Sequence, residues 1–188
     1  MVGNDIVDIA KAKQTTNWQR LHFLDKLFTT QEKQYIQDED SEDRFLMVWR
    51  LWSMKEAAYK LYTQLYPSRF YKPMAFECDI ENLKVRYNDF ECCVKTRLTQ
   101  NYILSEARLS NYEMTSKVKV FNHDNQEQQS ESLKYQILNS ISDIHKIQKN
   151  RLKFSKNEFG IPTVDFNSKQ IHVSLTHHGD YGAFAISN

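Results

Sequence analysis

The chain has 188 residues, of which 40% are hydrophobic, 13% aromatic and 26% charged, with only 4 glycines and 3 prolines. This composition provides enough apolar material for a folded core and excludes a low-complexity chain. The 25 basic and 24 acidic residues give a formal net charge of +1, so no overall field would drive nonspecific binding to nucleic acid or to an anionic membrane.

The first third of the chain predicts one strand followed by helices. β-Branched residues predict a strand over Val2 to Ile9, and apolar spacings of three and four predict a helix over Trp18 to Phe28. A threonine at 29 or 30 is placed to begin another helix. The longest predicted helix runs from about Asp43 to Tyr66. With its five residues, the longest unbroken apolar run, Phe45 to Trp49, is too short to cross a membrane.

The long helix is apolar on two sides, and one side carries a buried charge. A rotation of about 100° per residue places Glu56 about 20° from Phe45, inside a stripe of aromatic residues. Ser53, Lys60 and Gln64 lead away from it along a narrow polar seam. A carboxylate in this position needs a partner.

The middle of the chain is β-rich. Short turns between neighbouring segments favour an antiparallel meander. The polar residues 122–132 predict a flexible loop within a single domain that spans 1–188, and a helix is predicted over Leu133 to Gln148. Strands are predicted over residues 76–80, 84–87, 90–98, 102–110, 117–121, 171–176 and 183–187.

A basic stretch follows the last predicted helix, with no acid before Glu158. It has two interpretations: a solvated helix end, where cations complement the terminal carbonyls, or a site for a phosphate or an acidic partner. Its members are Lys146, Lys149, Arg151, Lys153 and Lys156.

The cysteines and the N-terminus favour a cytoplasmic protein. Cys92 and Cys93 are adjacent and only one other cysteine is present, so neither a disulfide framework nor a zinc site is indicated. Asp5 and Asp8 interrupt the region where a signal peptide would be apolar. A reducing cytoplasm fits this cysteine usage.

Three separated segments carry candidate chemistry. Each is weak alone, because Lys55 and Glu56 could form a surface ion pair and His177 could be a structural histidine. The segments are Gly3-Asn4-Asp5-Ile6-Val7-Asp8-Ile9, Trp52-Ser53-Met54-Lys55-Glu56-Ala57-Ala58-Tyr59-Lys60 and Ser174-Leu175-Thr176-His177.

In this order the three segments resemble the 4'-phosphopantetheinyl transferase superfamily, in particular holo-acyl-carrier-protein synthases. Gly160-Ile161-Pro162 before the last segment, and Tyr181, Ala183 and Ala185 after it, fit the same pattern. The resemblance covers about residues 1–66 and 158–187. It implies an α+β fold in which a long central helix packs on an antiparallel sheet.

The resemblance implies Mg2+-dependent transfer of 4'-phosphopantetheine from coenzyme A to a serine of an acyl or peptidyl carrier protein, which releases adenosine 3',5'-bisphosphate. The general base stays open between Glu56 and a metal-bound water. Asp8 ranks below Asp5, because a regular strand would point the two side chains to opposite faces. The implied metal ligands are Asp5 and Glu56, and the implied catalytic residues are Glu56, Lys60 and His177. The residues implied to face coenzyme A are Lys55, Lys60, Ser174, Thr176 and His177. Lys55 is also a candidate for structural pairing.

Motif order separates two kinds of family member. The Gly-x-Asp segment comes first here and the histidine segment last, as in the small, single-lobed kind, whose site lies between subunits of a trimer. This order predicts a single lobe and a possible homotrimer, with Asp5 and Glu56 facing His177 or basic residues of another chain. The length exceeds that of the small kind, so a monomer or dimer stays open.

Two other functions remain as alternatives. A protein of the same fold could bind coenzyme A or a carrier protein without turnover. The basic stretch could instead bind nucleic acid, which the near-neutral charge disfavours.

Overall fold

A computed structural model of the protein describes residues 1–41, 43–70, 72–109, 113–123 and 125–187. The first half of the chain forms one sheet with helices packed against it. A long helix, α4, packs on this sheet around the buried Leu51, Met54 and Leu61. The elements are β1 (Val2–Asp8), α1 (Ile9–Thr15), α2 (Phe23–Leu27), α3 (Thr30–Asp38), α4 (Asp43–Leu65), a 3-10 helix (Pro73–Ala75), β2 (Glu77–Asp79), β3 (Lys84–Tyr87), β4 (Phe90–Leu98) and β5 (Tyr102–Arg108).

The second half forms its own sheet and its own apolar cluster. Leu133, Ile137 and Ile141 of one helix, α5, pack against Phe184 and its neighbours. The elements are β6 (Met114–Val120), α5 (Gln126–His145), a 3-10 helix (Lys149–Arg151), β7 (Lys153–Lys156), β8 (Pro162–Phe166), β9 (Lys169–His178) and β10 (Tyr181–Ser187).

The two halves repeat one topology. The strand order is β1-β5-β4-β3-β2 in the first sheet and β6-β10-β9-β8-β7 in the second, with antiparallel pairing throughout. In each half a strand and a long helix precede four further strands. We call residues 1–109 the first lobe and 113–187 the second lobe. The predicted α+β class, with a long helix on an antiparallel sheet, is confirmed, whereas the predicted single lobe is wrong. That both lobes act as one domain stays a prediction.

Gly3 lets α4 lie directly on β1. A Cβ atom at this position would lie 2.0 Å from the carbonyl oxygen of Ala57, so a larger residue would push the helix away from the strand. The predicted polar seam of α4 faces the strands at this approach. Ser53 Oγ lies 2.7 Å from Ser105 Oγ on β5, and Gln64 binds the backbone of Val2.

The N-terminal elements follow the predictions in part. The first strand ends at Asp8 because that residue caps α1, a helix that was not predicted. The helix predicted over 18–28 is only α2, whereas α3 begins as expected with a capping box between Thr29 and Glu32. The described part of the chain contains no helix with the length and apolarity that a membrane span requires.

The predictions for the centre hold for β2 to β5, which form the expected meander, with Ser110 outside the described residues. The strand predicted over 117–121 is β6, which pairs with β10 of the second sheet instead. The predicted loop over 122–132 is wrong from Gln126 onward, because the Asn125 side chain caps α5 there; Asp124 lies outside the described residues. Lys146, in the left-handed conformation, ends α5 before the predicted Gln148.

Candidate active site

Asp5 lies at the junction of the two lobes. It is buried on β1, and its Oδ1 accepts hydrogen bonds from Lys60 Nζ at 3.1 Å and from Thr176 Oγ1 at 3.0 Å. Lys60 belongs to α4 of the first lobe and Thr176 to β9 of the second. One carboxylate is therefore fixed from both lobes.

Glu56 is the second carboxylate of the site. It is partly buried, and it makes no hydrogen bond within the described residues. Burial, and then the negative charge of Asp5, raise its pKa to about 7, although Lys60 acts in the opposite direction. The wheel prediction that this carboxylate is enclosed is thus confirmed.

The donor set of the site suits a hard cation. Two carboxylates repel each other here, and Mg2+ is commonly held by one or two carboxylates together with substrate phosphates. The residues that the structure describes contain no group of three or more His, Cys, Asp and Glu placed to hold a metal ion. Asp5 and Glu56 could therefore act as two protein ligands of Mg2+, with its remaining ligands supplied by a bound phosphate or by water.

Backbone contacts fix β1 against β9. The Asn4 N–H donates to Ser174 Oγ at 3.1 Å, and Gln64 Nε2 of α4 donates to the carbonyl oxygens of Val2 and Val173. Lys60 Nζ also donates to the Asn4 carbonyl oxygen at 2.9 Å. The resemblance implied that Ser174 and Thr176 face coenzyme A. Both hydroxyls join the lobes, that of Thr176 by donating to Asp5 and that of Ser174 by accepting from Asn4, and both residues also line a cavity.

His177 lies in the wall between two cavities. The larger, of about 330 Å³, is also lined by Lys60 and Lys156, and we call it the main cavity. The smaller cavity, of about 160 Å³, is lined by Asp5 and Trp52 among others. Burial, and then the positive charges of Lys60, His178 and Lys156, lower the pKa of His177. The ring is therefore kept neutral in an electropositive surrounding, which suits a bound phosphate.

The main cavity includes residues that the sequence analysis did not assign to it. Ser130 of α5 and the aromatic rings of Tyr59 and Phe159 line it. Lys156 belongs to the basic stretch, for which a phosphate site was one of two interpretations. Ser130 gave no signal, because it lies in residues predicted to be a loop.

Lys55 is not part of this site. Its Nζ lies 2.7 Å from Glu32 Oε2 and donates to the carbonyl oxygens of Pro73 and Phe76. Both charged side chains are only 1% exposed. The prediction that Lys55 faces coenzyme A is wrong, because the side chain points into the first-lobe core; the alternative of structural pairing is confirmed.

Asp8 has a structural role, in agreement with its lower rank. Its Oδ1 accepts from the Lys11 N–H, and its Oδ2 accepts from the Asp180 N–H. Gly179 approaches so closely that a Cβ there would lie 2.2 Å from Asp8 Oδ2. Asp8 thus holds the turn that follows His177 and His178.

The two halves of the site belong to one chain. Thr176, next to His177, bonds directly to Asp5 of the same molecule. The expectation that Asp5 and Glu56 would face the histidine of another chain is therefore wrong for this junction. The second lobe supplies the histidine that a neighbouring subunit was expected to supply.

Comparison with known proteins assigns the chain to a group. A family model described as the 4'-phosphopantetheinyl transferase superfamily matches residues 1–115 of the 188. The match spans Asp5, Glu56 and Lys60 and ends within β6, so His177 lies outside it. No curated protein matches the chain.

Proposed function

Because the chain belongs to the 4'-phosphopantetheinyl transferase superfamily, we propose that it transfers 4'-phosphopantetheine from coenzyme A to a serine of an acyl or peptidyl carrier protein, in the manner of a holo-acyl-carrier-protein synthase. One observation carries the proposal. Two carboxylates and Lys60 from the first lobe meet His177 from the second lobe beside a cavity that Lys156 also lines.

Each side chain has a role that its position supports. Asp5 and Glu56 would hold Mg2+, which when bound would neutralise charge on the pyrophosphate of coenzyme A. Lys60 is held by Asp5 and its side chain is 28% exposed, so its ammonium can contact an incoming phosphate. His177 and Lys156 would contact the same substrate from the second lobe.

The test is intact-mass spectrometry of an apo acyl carrier protein after incubation with this protein, coenzyme A and Mg2+. We expect a mass gain of one phosphopantetheine group, and no gain when EDTA replaces Mg2+. Coenzyme A binding without mass gain on any of several acyl and peptidyl carrier proteins would instead favour the non-catalytic binder.

We further propose that a single chain forms the complete site. Asp5→Asn and His177→Ala chains should each be strongly impaired, and an equimolar mixture should be no more active than the sum of its parts, because each molecule lacks one half of its own site. In a homotrimer with sites between subunits, mixed assemblies would contain some intact sites. Steady-state assays after co-refolding distinguish the two cases, since recovered activity in the mixture would establish shared sites.

The basic stretch would attract the carrier protein. Carrier proteins are typically acidic, and Lys149, Arg151 and Lys153 are exposed on the second lobe, which also contributes His177. Reversing all three charges to glutamate should raise the KM for the carrier about tenfold or more, a change of roughly 1.4 kcal/mol. The KM for coenzyme A should change little. An unchanged carrier KM would remove this stretch from the docking surface.

A further inference from the structure

A separate cavity opens at the opposite junction of the lobes. It has a volume of about 300 Å³ and lies where β4 and β5 of the first lobe meet β6 of the second. A water molecule in the liquid occupies about 30 Å³, so the space accommodates a small hydrated ion. We call it the basic cavity, and it is lined by Lys95, Arg97, Glu106, Arg108, Met114 and Ser116.

Two cationic side chains of the basic cavity have no partner among the described residues. The cavity is lined by Lys95, Arg97 and Arg108 together with one carboxylate, Glu106. Lys95 and Arg97 are exposed, and neither makes a hydrogen bond or ion pair with any residue that the structure describes. On the same sheet Lys84 and Arg86, in contrast, both pair with Glu91, at 2.6 and 2.7 Å.

A buried hydroxyl adds an unsatisfied polar group. Ser116 Oγ is inaccessible to solvent and has no hydrogen-bond partner among the described residues. A buried hydroxyl without a partner carries a free-energy cost. Because this oxygen is closed to solvent, the donors that the cavity offers to an anion are its cationic side chains, which form charge-assisted hydrogen bonds to phosphate oxygens.

The internal repeat explains why this junction carries positive charge. Counted from the first residues of β5 and β10, Asp5 and Lys117 occupy equivalent places, because each is the Cα partner of the fourth residue of that strand. By the same count Arg97 is equivalent to Thr176, the residue that fixes Asp5. Arg97 is the Cα partner of the third residue of β5, and Thr176 is the Cα partner of the third residue of β10. The junction with carboxylates suits a cation, whereas the equivalent positions of its counterpart hold cationic residues; of these, Arg97 lines the basic cavity and Lys117 lies beside Ser140 of α5.

We propose that the basic cavity binds a small phosphate-bearing anion. Lys95 and Arg97, which have no partner among the described residues, would supply the charge and donate hydrogen bonds to phosphate oxygens. The proposal is independent of the transferase activity, because the main cavity contains none of these residues.

The test is a titration of the full-length protein with inorganic pyrophosphate, followed by backbone amide chemical shifts at constant ionic strength. We expect saturable shifts at Lys95, Arg97 and Ser116, read separately from any shifts around Lys156 in the main cavity. Parallel titrations with inorganic phosphate and with adenosine 3',5'-bisphosphate distinguish a free anion from a phosphate ester as the preferred ligand. Saturation by either supports the site.

A matched pair of variants assigns the binding to these residues. Lys95→Gln with Arg97→Gln should weaken pyrophosphate binding at this site at least tenfold. Lys84→Gln with Arg86→Gln removes the same charge from the same sheet and should change the affinity less than twofold. Non-saturable shifts, shifts that sodium chloride reproduces, or an equal loss in both double variants would each overturn the proposal.

Discussion

Replacing Glu56 with glutamine is expected to reduce phosphopantetheine transfer by more than about 100-fold, because it removes one of two carboxylates proposed to bind the metal. Loss of groups that only support metal ligands costs about 10- to 100-fold, so loss of a ligand should cost more. The fold should persist, since Glu56 makes no hydrogen bond within the described residues. The measurement is kcat/KM for the carrier protein against Mg2+ concentration, with urea unfolding of the same variant.

Asp5→Asn should have a similar effect on turnover. This substitution also removes the charged partner of Lys60, and it replaces the carboxylate that accepts from Thr176 with an amide. Some stability should therefore be lost as well. Glu81→Gln is the matched control, because it makes the same chemical change at an exposed residue distant in sequence from the motifs. Near-normal activity of both site variants at limiting Mg2+ would contradict the metal assignment.

The largest effect on stability is expected at Lys55. In the buried pair with Glu32, Lys55→Met leaves a carboxylate without its charged partner inside the core, which typically costs about 3–5 kcal/mol of unfolding free energy. Glu32 also accepts from the backbone N–H groups of Thr29 and Cys78, so the loss should loosen the contact of α3 with β2. Urea unfolding measures the change.

Two further variants test the cause. The double change Lys55→Met with Glu32→Gln should lose less than the sum of the single changes, because no uncompensated charge remains. Lys33→Met removes a partner of the exposed Asp25 and should cost much less stability, because solvent screens that pair. If Lys55→Met lowered the free energy of unfolding no more than Lys33→Met, the proposed stabilising role of the buried pair would be contradicted. In the folded variant the KM for coenzyme A should be unchanged, as a structural role requires.

The sequence predicted those site residues whose position follows from local periodicity. The helical wheel placed Glu56 inside the aromatic side of α4 and Lys60 on the polar seam beside it, and both interact with Asp5. The resemblance was misleading for Lys55, which it placed toward coenzyme A, because the partner Glu32 lies on another helix and only tertiary packing brings the two together. A position adjacent to a site residue in sequence therefore did not imply a place in the site.

The second lobe was the least predictable part. The first turns of α5 are rich in glutamine, so they lack the apolar periodicity that indicates a helix, yet Gln129 is buried and donates to the carbonyl oxygens of His123 and Gly179. The pairing of β6 with β10 joins strands about 60 residues apart, and strand propensity does not specify such partners. Without that pairing, the second sheet and its wall of the main cavity could not be foreseen.

The repeated strand order has a consequence for stoichiometry. Two identical lobes related by a twofold axis would have two equal junctions and two equal sites. At the second junction, Lys117 and Leu98 occupy the positions equivalent to Asp5 and His177 of the first. The candidate active-site residues therefore occur at only one of the two junctions that these positions define. The backbone thus has the architecture of a dimer, while one molecule is expected to bind one equivalent of coenzyme A. Substitutions at the second junction should consequently leave turnover intact.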